Sequence, residues 1–301
     1  MREADVEEAR RIFRVAFGTF IGAPDPESFW LDRDFVGPRW RANPSGGVVA
    51  EVDGTIAGSN LATNWGSVGF FGPLTIRPDL WNQGIAQRLL GPTLDLFAQW
   101  GVRAAGLFTF SHSPKHIGLY QKFGFWPGYL TAMMSKDAAG SDIGAIRYSA
   151  LEEAQRKQAL DACRRLTDSI FEGLDVTAEI RAVAAQGLGD TLLLWGGDTL
   201  DAFAVCHCGE GTEAGSDMCF IKFAAARPDG KALPRILAAS EALAAERGLR
   251  RMQAGVNLGR RAAYRQMLEH GFRIDALGVA MHRPDSAAYN RQDVFVVDDW
   301  R

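Results

Sequence analysis

Leu74-Thr75-Ile76-Arg77-Pro78-Asp79-Leu80-Trp81-Asn82-Gln83-Gly84-Ile85-Ala86 is the stretch on which the reading of this chain turns. A β-rich run over 67–76 stops at Pro78-Asp79, because proline has no N–H to give a ladder. Beyond the turn, Ile85, Leu89, Leu90, Leu94 and Phe97 share one face of a 3.6-residue period, which predicts a helix over 83–100. Gly84 lets backbone approach a ligand closely, and Ala86 keeps the next position small. The first N–H groups of a helix lack internal acceptors and lie at its positive end. Strand, glycine turn and helix start together make a seat for a diphosphate, although a plain strand-to-helix connection has the same outline.

The same punctuation occurs twice along the chain. Arg77-Pro78-Asp79 returns as Arg227-Pro228-Asp229, Gly101-Val102-Arg103 as Gly248-Leu249-Arg250, and Gly124-Phe125 as Gly271-Phe272. The spacing from Gly101 to Gly124 equals that from Gly248 to Gly271, so the halves keep register there. They part at the front of one helix. Trp81-Asn82-Gln83-Gly84-Ile85-Ala86 has only Lys231-Ala232-Leu233-Pro234 opposite it.

Around these marks a coarse order emerges. A helical stripe covers 5–20, and two β runs flank Asp53-Gly54 as a hairpin. A strand is predicted over 103–110, a short helix over 114–122, and a long strand or strand pair over 125–134. Asp137-Ala138-Ala139-Gly140 begins a small, polar, glycine-bearing linker. The pattern then restarts with a helix over 151–166, strands on either side of Gly196-Gly197-Asp198, and another strand over 218–225. Two domains are therefore expected, 1–136 and 149–301, with 137–148 between them.

Leu119-Tyr120-Gln121-Lys122-Phe123-Gly124-Phe125 is the second informative element. Gly124 suits the position just past a helix, and Phe125 turns into the next strand. Taken alone, Tyr120 is equally a half-buried tyrosine with its hydroxyl in water.

In order, the strand, the Gly84 turn, its helix, a further strand, and Tyr120 before Gly124-Phe125 resemble the GCN5-related N-acetyltransferase (GNAT) family over residues 5–136. The resemblance implies a mixed α/β fold of two tandem domains, each a splayed sheet flanked by helices, the second degenerate. It implies that acetyl-CoA is the co-substrate, held by Leu74, Thr75, Ile76, Trp81, Asn82, Gln83, Gly84, Ile85, Ala86, Gln87 and Ser113. It also implies that Tyr120 is the general acid for the leaving thiolate and that a strand N–H near Thr75 stabilises the oxyanion. Trp81 stands where relatives usually carry Gln or Arg, and Ser113 where many carry Asn. Residues 61–76 contain no Asp, Glu or His, so His112 is the nearest candidate base. Relay by water, or a carboxylate of Asp298-Asp299 in a returning tail, are other routes; a disordered or edge-strand tail is the simpler expectation. Opposite Tyr120 the second half has Met267, with Tyr264 nearly a turn away, so that half is expected to bind no coenzyme.

The remaining features bound the partners. Arg88, Lys115 and Lys122 are candidates for the coenzyme's 3′-phosphate. The rings of 20–40, with Trp65, Phe70 and Phe71, are either plain core or walls for an apolar or aromatic small-molecule amine; a non-catalytic acyl-CoA-binding sensor and an acetyltransferase of protein amines are the alternative functions. The net charge of −3 lacks the basic excess of a nucleic-acid binder. No apolar run reaches the ~20 residues of a membrane span, and the charged start has no apolar leader core, which predicts a cytoplasmic protein, monomeric or homodimeric. Cys206-His207-Cys208 lacks Cys-x2-Cys spacing and follows an apolar run, which reads as buried strand thiols and predicts no metal.

Overall fold

The computed structural model describes residues 1–140 and 144–300; residues 141–143 of the expected linker, and Arg301 of the tail, lie outside the described residues. The first half runs α1 (Val6–Ile21), α2 (Gly37–Ala42), β1 (Gly47–Val52), β2 (Thr55–Trp65), β3 (Val68–Phe71), β4 (Thr75–Ile76), α3 (Ile85–Gln99), β5 (Ala104–Phe110), α4 (Pro114–Gln121) and β6 (Trp126–Asp137). The second runs β7 (Ile146–Arg147), α5 (Glu153–Ile170), α6 (Thr177–Gln186), β8 (Gly189–Gly196), β9 (Thr199–Gly209), β10 (Gly215–Ala226), α7 (Ala232–Glu246), β11 (Arg251–Asn257), α8 (Arg261–Glu269), β12 (Arg273–Arg283) and β13 (Phe295–Val297). The two orders repeat, as the sequence marks require.

The halves share one sheet, ordered β1-β2-β3-β5-β12-β6-β11-β10-β9-β8-β7. The final strand of each repeat lies in the other's territory. β12 is antiparallel to β5 (Gly278↔Phe110 to Arg283↔Ala105) and also to β6 (Arg273↔Ser135 to His282↔Trp126). β6 in turn pairs with β11 (Arg251↔Asp137 to Asn257↔Thr131). β6 is a single strand, and it continues through Asp137, the first residue of the expected linker.

Each lobe splays where two parallel strands part. β3 pairs with β5 only from Val68↔Ala104 to Phe70↔Gly106. Gly72-Pro73 then breaks the run expected to be one strand over 67–76, since proline offers no ladder N–H. β4 leaves to pair with β2 through Gly58↔Ile76 and Ser59↔Thr75. In the second lobe β10 follows β11 from Met218↔Arg251 to Ile221↔Ala254 and then diverges. β13 enters this second gap and pairs with β10 from Ala224↔Val297 to Ala226↔Phe295.

Residues 295–300 are thus neither disordered nor a solvent-facing edge. Val296 and Val297 are fully buried. Asp298 accepts from Arg260 Nη2 and from the Tyr289 hydroxyl, both at 2.8 Å. Trp300 donates to that hydroxyl at 2.8 Å and stacks on Phe70 of the first lobe, ring centres 6.5 Å apart. Two strand glycines make room: a Cβ at Gly106 would lie 2.2 Å from Trp300, and one at Gly255 2.2 Å from Asp299.

Beneath Trp300 lies His282, ring centres 5.2 Å apart, with Nε2 3.3 Å from Asn290 Nδ2. Burial, with Arg260 nearby, pushes its imidazole down to about 4, against a smaller opposing pull from Asp285. The folded state therefore binds fewer protons than the unfolded chain between about pH 6.5 and 4. The contribution is complete above pH 6.5 and is lost as pH falls through this window. Urea melts at pH 7.5 and pH 5 are expected to differ by on the order of 2 kcal/mol from this group. His282→Gln should flatten that part of the slope; an unchanged slope would refute the assignment.

Candidate functional site

The first gap opens into a cleft of about 490 Å³. Leu74, Thr75 and Ile76 form one wall, and Trp81, Asn82, Gly84, Ile85, Ala86 and Gln87 close its foot. Gly84 is the residue before α3 and has a φ of 76°, a backbone state that side chains with a Cβ resist. No side chain caps α3. The N–H groups of residues 82–86 have no acceptor among the described residues. A run of unclaimed donors at a positive helix end fits an anion such as a diphosphate.

Trp81 serves the turn itself, since its Nε1 donates to the Ile76 carbonyl at 2.8 Å and ties the turn to β4. Lys115 Nζ lies 5.6 Å from the Trp81 ring centre, and Lys115 and Lys122 both line the cleft. Arg88 is exposed on α3. Gln83 is exposed outside the lining, and buried Ser113 caps α4, its hydroxyl accepting from the His116 N–H at 3.5 Å.

A second cavity of about 350 Å³ adjoins the cleft and shares Phe17, Leu74, Phe110 and His116 with it. Phe29, Trp30, Phe35 and Phe71 wall it, and Tyr120 reaches it from α4. Of the other rings singled out in the sequence, Phe20 lines the first cleft, Trp65 and Phe70 are core between the lobes, and Trp40 packs under α1. Tyr120 is 7% exposed, its ring 5.8 Å from that of Phe71. Its hydroxyl makes no hydrogen bond to another described residue, and burial pushes the phenol up, so it stays protonated at neutral pH. His112 is exposed beside Phe20 and lines neither cavity. His116, which is not among the residues the sequence singles out, lines both. The available signal is its spacing: four residues before Tyr120, on the same face of a short helix.

Residues 7–125 match the sequence profile of the Acetyltransferase (GNAT) family. The first lobe is a GNAT-family acetyltransferase domain. No curated protein matches the chain. Solved structures resemble it over nearly its whole length. A Pyrococcus horikoshii protein assigned as an acetyltransferase has a TM-score of 0.68 at 15% identity, over 97% of this chain and 90% of that one. A GCN5-related N-acetyltransferase from Sphaerobacter thermophilus gives 0.57 at 13%, over 94% and 93%. A tandem GNAT protein from the clavulanic acid biosynthesis pathway gives 0.55 at 12%, over 93% and 95%. At such identities the likeness is one of fold, and the fold is that of a tandem GNAT protein.

The second GNAT-like lobe presents the corresponding places already filled. Asp229 Oδ1 accepts from the N–H groups of Lys231 (2.8 Å) and Ala232 (3.0 Å) at the front of α7, where the first lobe leaves its donors free. β13 occupies the gap beyond β10. Met267 is fully buried, and Tyr264 packs against the same core. Cys206 and Cys208 lie on β9, and no group of three His, Cys, Asp or Glu residues suited to a metal occurs among the described residues. Likewise, no helix among them is long and apolar enough to cross a membrane.

Proposed function

We propose that the first lobe transfers an acetyl group from acetyl-CoA to the amine of a small molecule with an apolar or aromatic body. The observation that carries this reading is the run of five unclaimed N–H groups over 82–86, at the foot of an open gap that leads to Tyr120. The diphosphate sits on those donors, and the pantetheine arm lies along the free edge of residues 74–76. The thioester then lies between Leu74 and Tyr120, where the two cavities meet. A β4 N–H near Thr75 steadies the oxyanion. The phenol of Tyr120 gives its proton to sulfur as the C–S bond breaks. The dry surroundings that keep the phenol protonated equally disfavour a free thiolate, so proton transfer accompanies cleavage. Lys115 and Lys122 meet the negative coenzyme at the cleft.

In this reading the second lobe, 149–301, takes no coenzyme, because Asp229 and β13 stand in for phosphate and pantetheine. The domain division then describes the repeats, while β6 and β12 are shared. Calorimetric titration of the full chain should show one acetyl-CoA site. Ala86→Glu places a carboxylate at the donor run, as Asp229 does in the other lobe. It is expected to weaken acetyl-CoA binding at least tenfold, or about 1.4 kcal/mol, without lowering Tm. Undiminished affinity in Ala86→Glu, or a stoichiometry of zero or two, defeats the proposal. Coenzyme A release with a panel of arylalkylamines and anilines separates transfer from mere binding.

A further inference from the structure

Acyl transfer to an amine needs a group to take up the nitrogen's proton, and residues 61–76 supply none. Resting on the proposed transfer, we infer that His116 is that group. Among the described residues lining the aromatic cavity, the only titratable side chains are His116 and Tyr120. The adjoining cleft adds Lys115 and Lys122, both cations, and no carboxylate. An amine held against the aromatic walls thus has one neutral base within the lining. The imidazole is fixed in place: its ring packs on Phe20 at 4.9 Å and Phe110 at 6.1 Å between centres. Its Nδ1 is sealed from solvent without a partner.

The surroundings keep it uncharged. Burial lowers its affinity for a proton, and Lys115 and His112 act in the same direction. It also stands in the first turn of α4, at the positive end of the helix, where an imidazolium is disfavoured. Tyr120, one turn further along, is protonated and adds no charge. A base must be unprotonated to act, and burial, Lys115, His112 and the helix end all favour that state.

The proton ledger closes without another reactant. The neutral amine attacks the thioester carbonyl, forming the C–N bond and a tetrahedral adduct whose nitrogen is positively charged. His116 takes the nitrogen's proton. The C–S bond breaks, and sulfur takes the Tyr120 proton. Imidazolium and phenolate are left one turn apart on α4, with Cβ atoms roughly 5–6 Å apart by helical geometry. A proton passed between them through water restores both. The net change is one proton moved from nitrogen to sulfur, giving an amide and free coenzyme A.

The test uses the full chain and whichever amine of the panel wild type acetylates fastest. His116→Gln keeps size and polarity but cannot be protonated near neutrality. It is expected to lower kcat/KM about 10²-fold. It should also remove the acid limb, below pH 6.5, from the pH profile, while acetyl-CoA affinity by calorimetry stays within twofold. A variant with the wild-type rate and profile overturns the inference and leaves the transfer reading intact. Loss of the limb in His112→Gln instead also overturns it. If wild type binds acetyl-CoA but acetylates no amine of the panel, the transfer reading falls and this inference with it.

Discussion

Tyr120→Phe is expected to lower coenzyme A release about 10²- to 10³-fold, with acetyl-CoA affinity and Tm both close to wild type. The separation of effects follows from the packing. The ring of Tyr120 is buried against Phe71 among the residues that join α3, α4 and β5, and phenylalanine fills that space equally well. The hydroxyl makes no hydrogen bond to another described residue, so removing it strands no partner. Only the proton delivered to sulfur is lost. Steady-state release of coenzyme, read beside calorimetry and a thermal melt, distinguishes the cases. A variant that turns over at the wild-type rate removes Tyr120 from the chemistry. One that melts much earlier shows that the oxygen serves the fold.

The contrast between the lobes shows how small a local change occupies the donors at a helix front. In both halves a strand ends near an Arg-Pro-Asp turn and a helix follows. In the first, Asp79 is held by Arg77, with Nη2 to Oδ2 at 2.7 Å, and the helix donors stay free. In the second, the equivalent Asp229 folds back onto the donors. Its carboxyl is held below the usual range chiefly by the Lys231 N–H. The arginine partner differs correspondingly: Arg227 Nε donates to the Leu200 carbonyl at 3.0 Å.

Local chemistry makes part of this legible in the sequence. The α3 stripe, the Asp53-Gly54 and Gly197-Asp198 turns, and the repeated Gly-Phe pairs each fix a short-range geometry, and each lies where the residues predict. Pairing between distant segments has no such signature. Residues 125–134 read as a long strand or strand pair whatever lies beside them, so the exchange of β6 and β12 between lobes is hidden. The tail deceives for a related reason. Asp298 and Asp299 look like a solvated end until Arg260, 38 residues earlier, and Tyr289 are placed around Asp298. Gly106 and Gly255 carry the clue, since each faces a tail side chain at a distance no Cβ would permit. At the site, His112 stands nearest the end of β5 in sequence, yet the turn leaves it in solvent, and α4 carries His116 into the lining instead.

Glu213→Gln is expected to destabilise the chain by about 3–5 kcal/mol, a large share of an ordinary domain's margin. Glu213 lies between β9 and β10 and is 1% exposed. It takes a bidentate pair from Arg39 of α2, at 2.9 and 2.7 Å, and a further contact from Lys222 of β10. Arg39 also donates to the Gly72 carbonyl at 2.8 Å, so the carboxylate is tied to the break between β3 and β4 in the other lobe. Against the cost of burial, Arg39 and Lys222 hold the carboxyl far below the usual carboxylate range. Its stabilising contribution is therefore fully present above about pH 4.5 and is lost progressively as pH falls below that value. Glutamine keeps the shape but leaves two buried cations short of a charge. Arg39→Met removes one of those cations, so the double variant Arg39→Met, Glu213→Gln should lose less than the two single losses combined. Urea melts of the four proteins at pH 7 measure the coupling. Strict additivity, or a single-variant loss below about 1 kcal/mol, would show that these charges do not join the lobes.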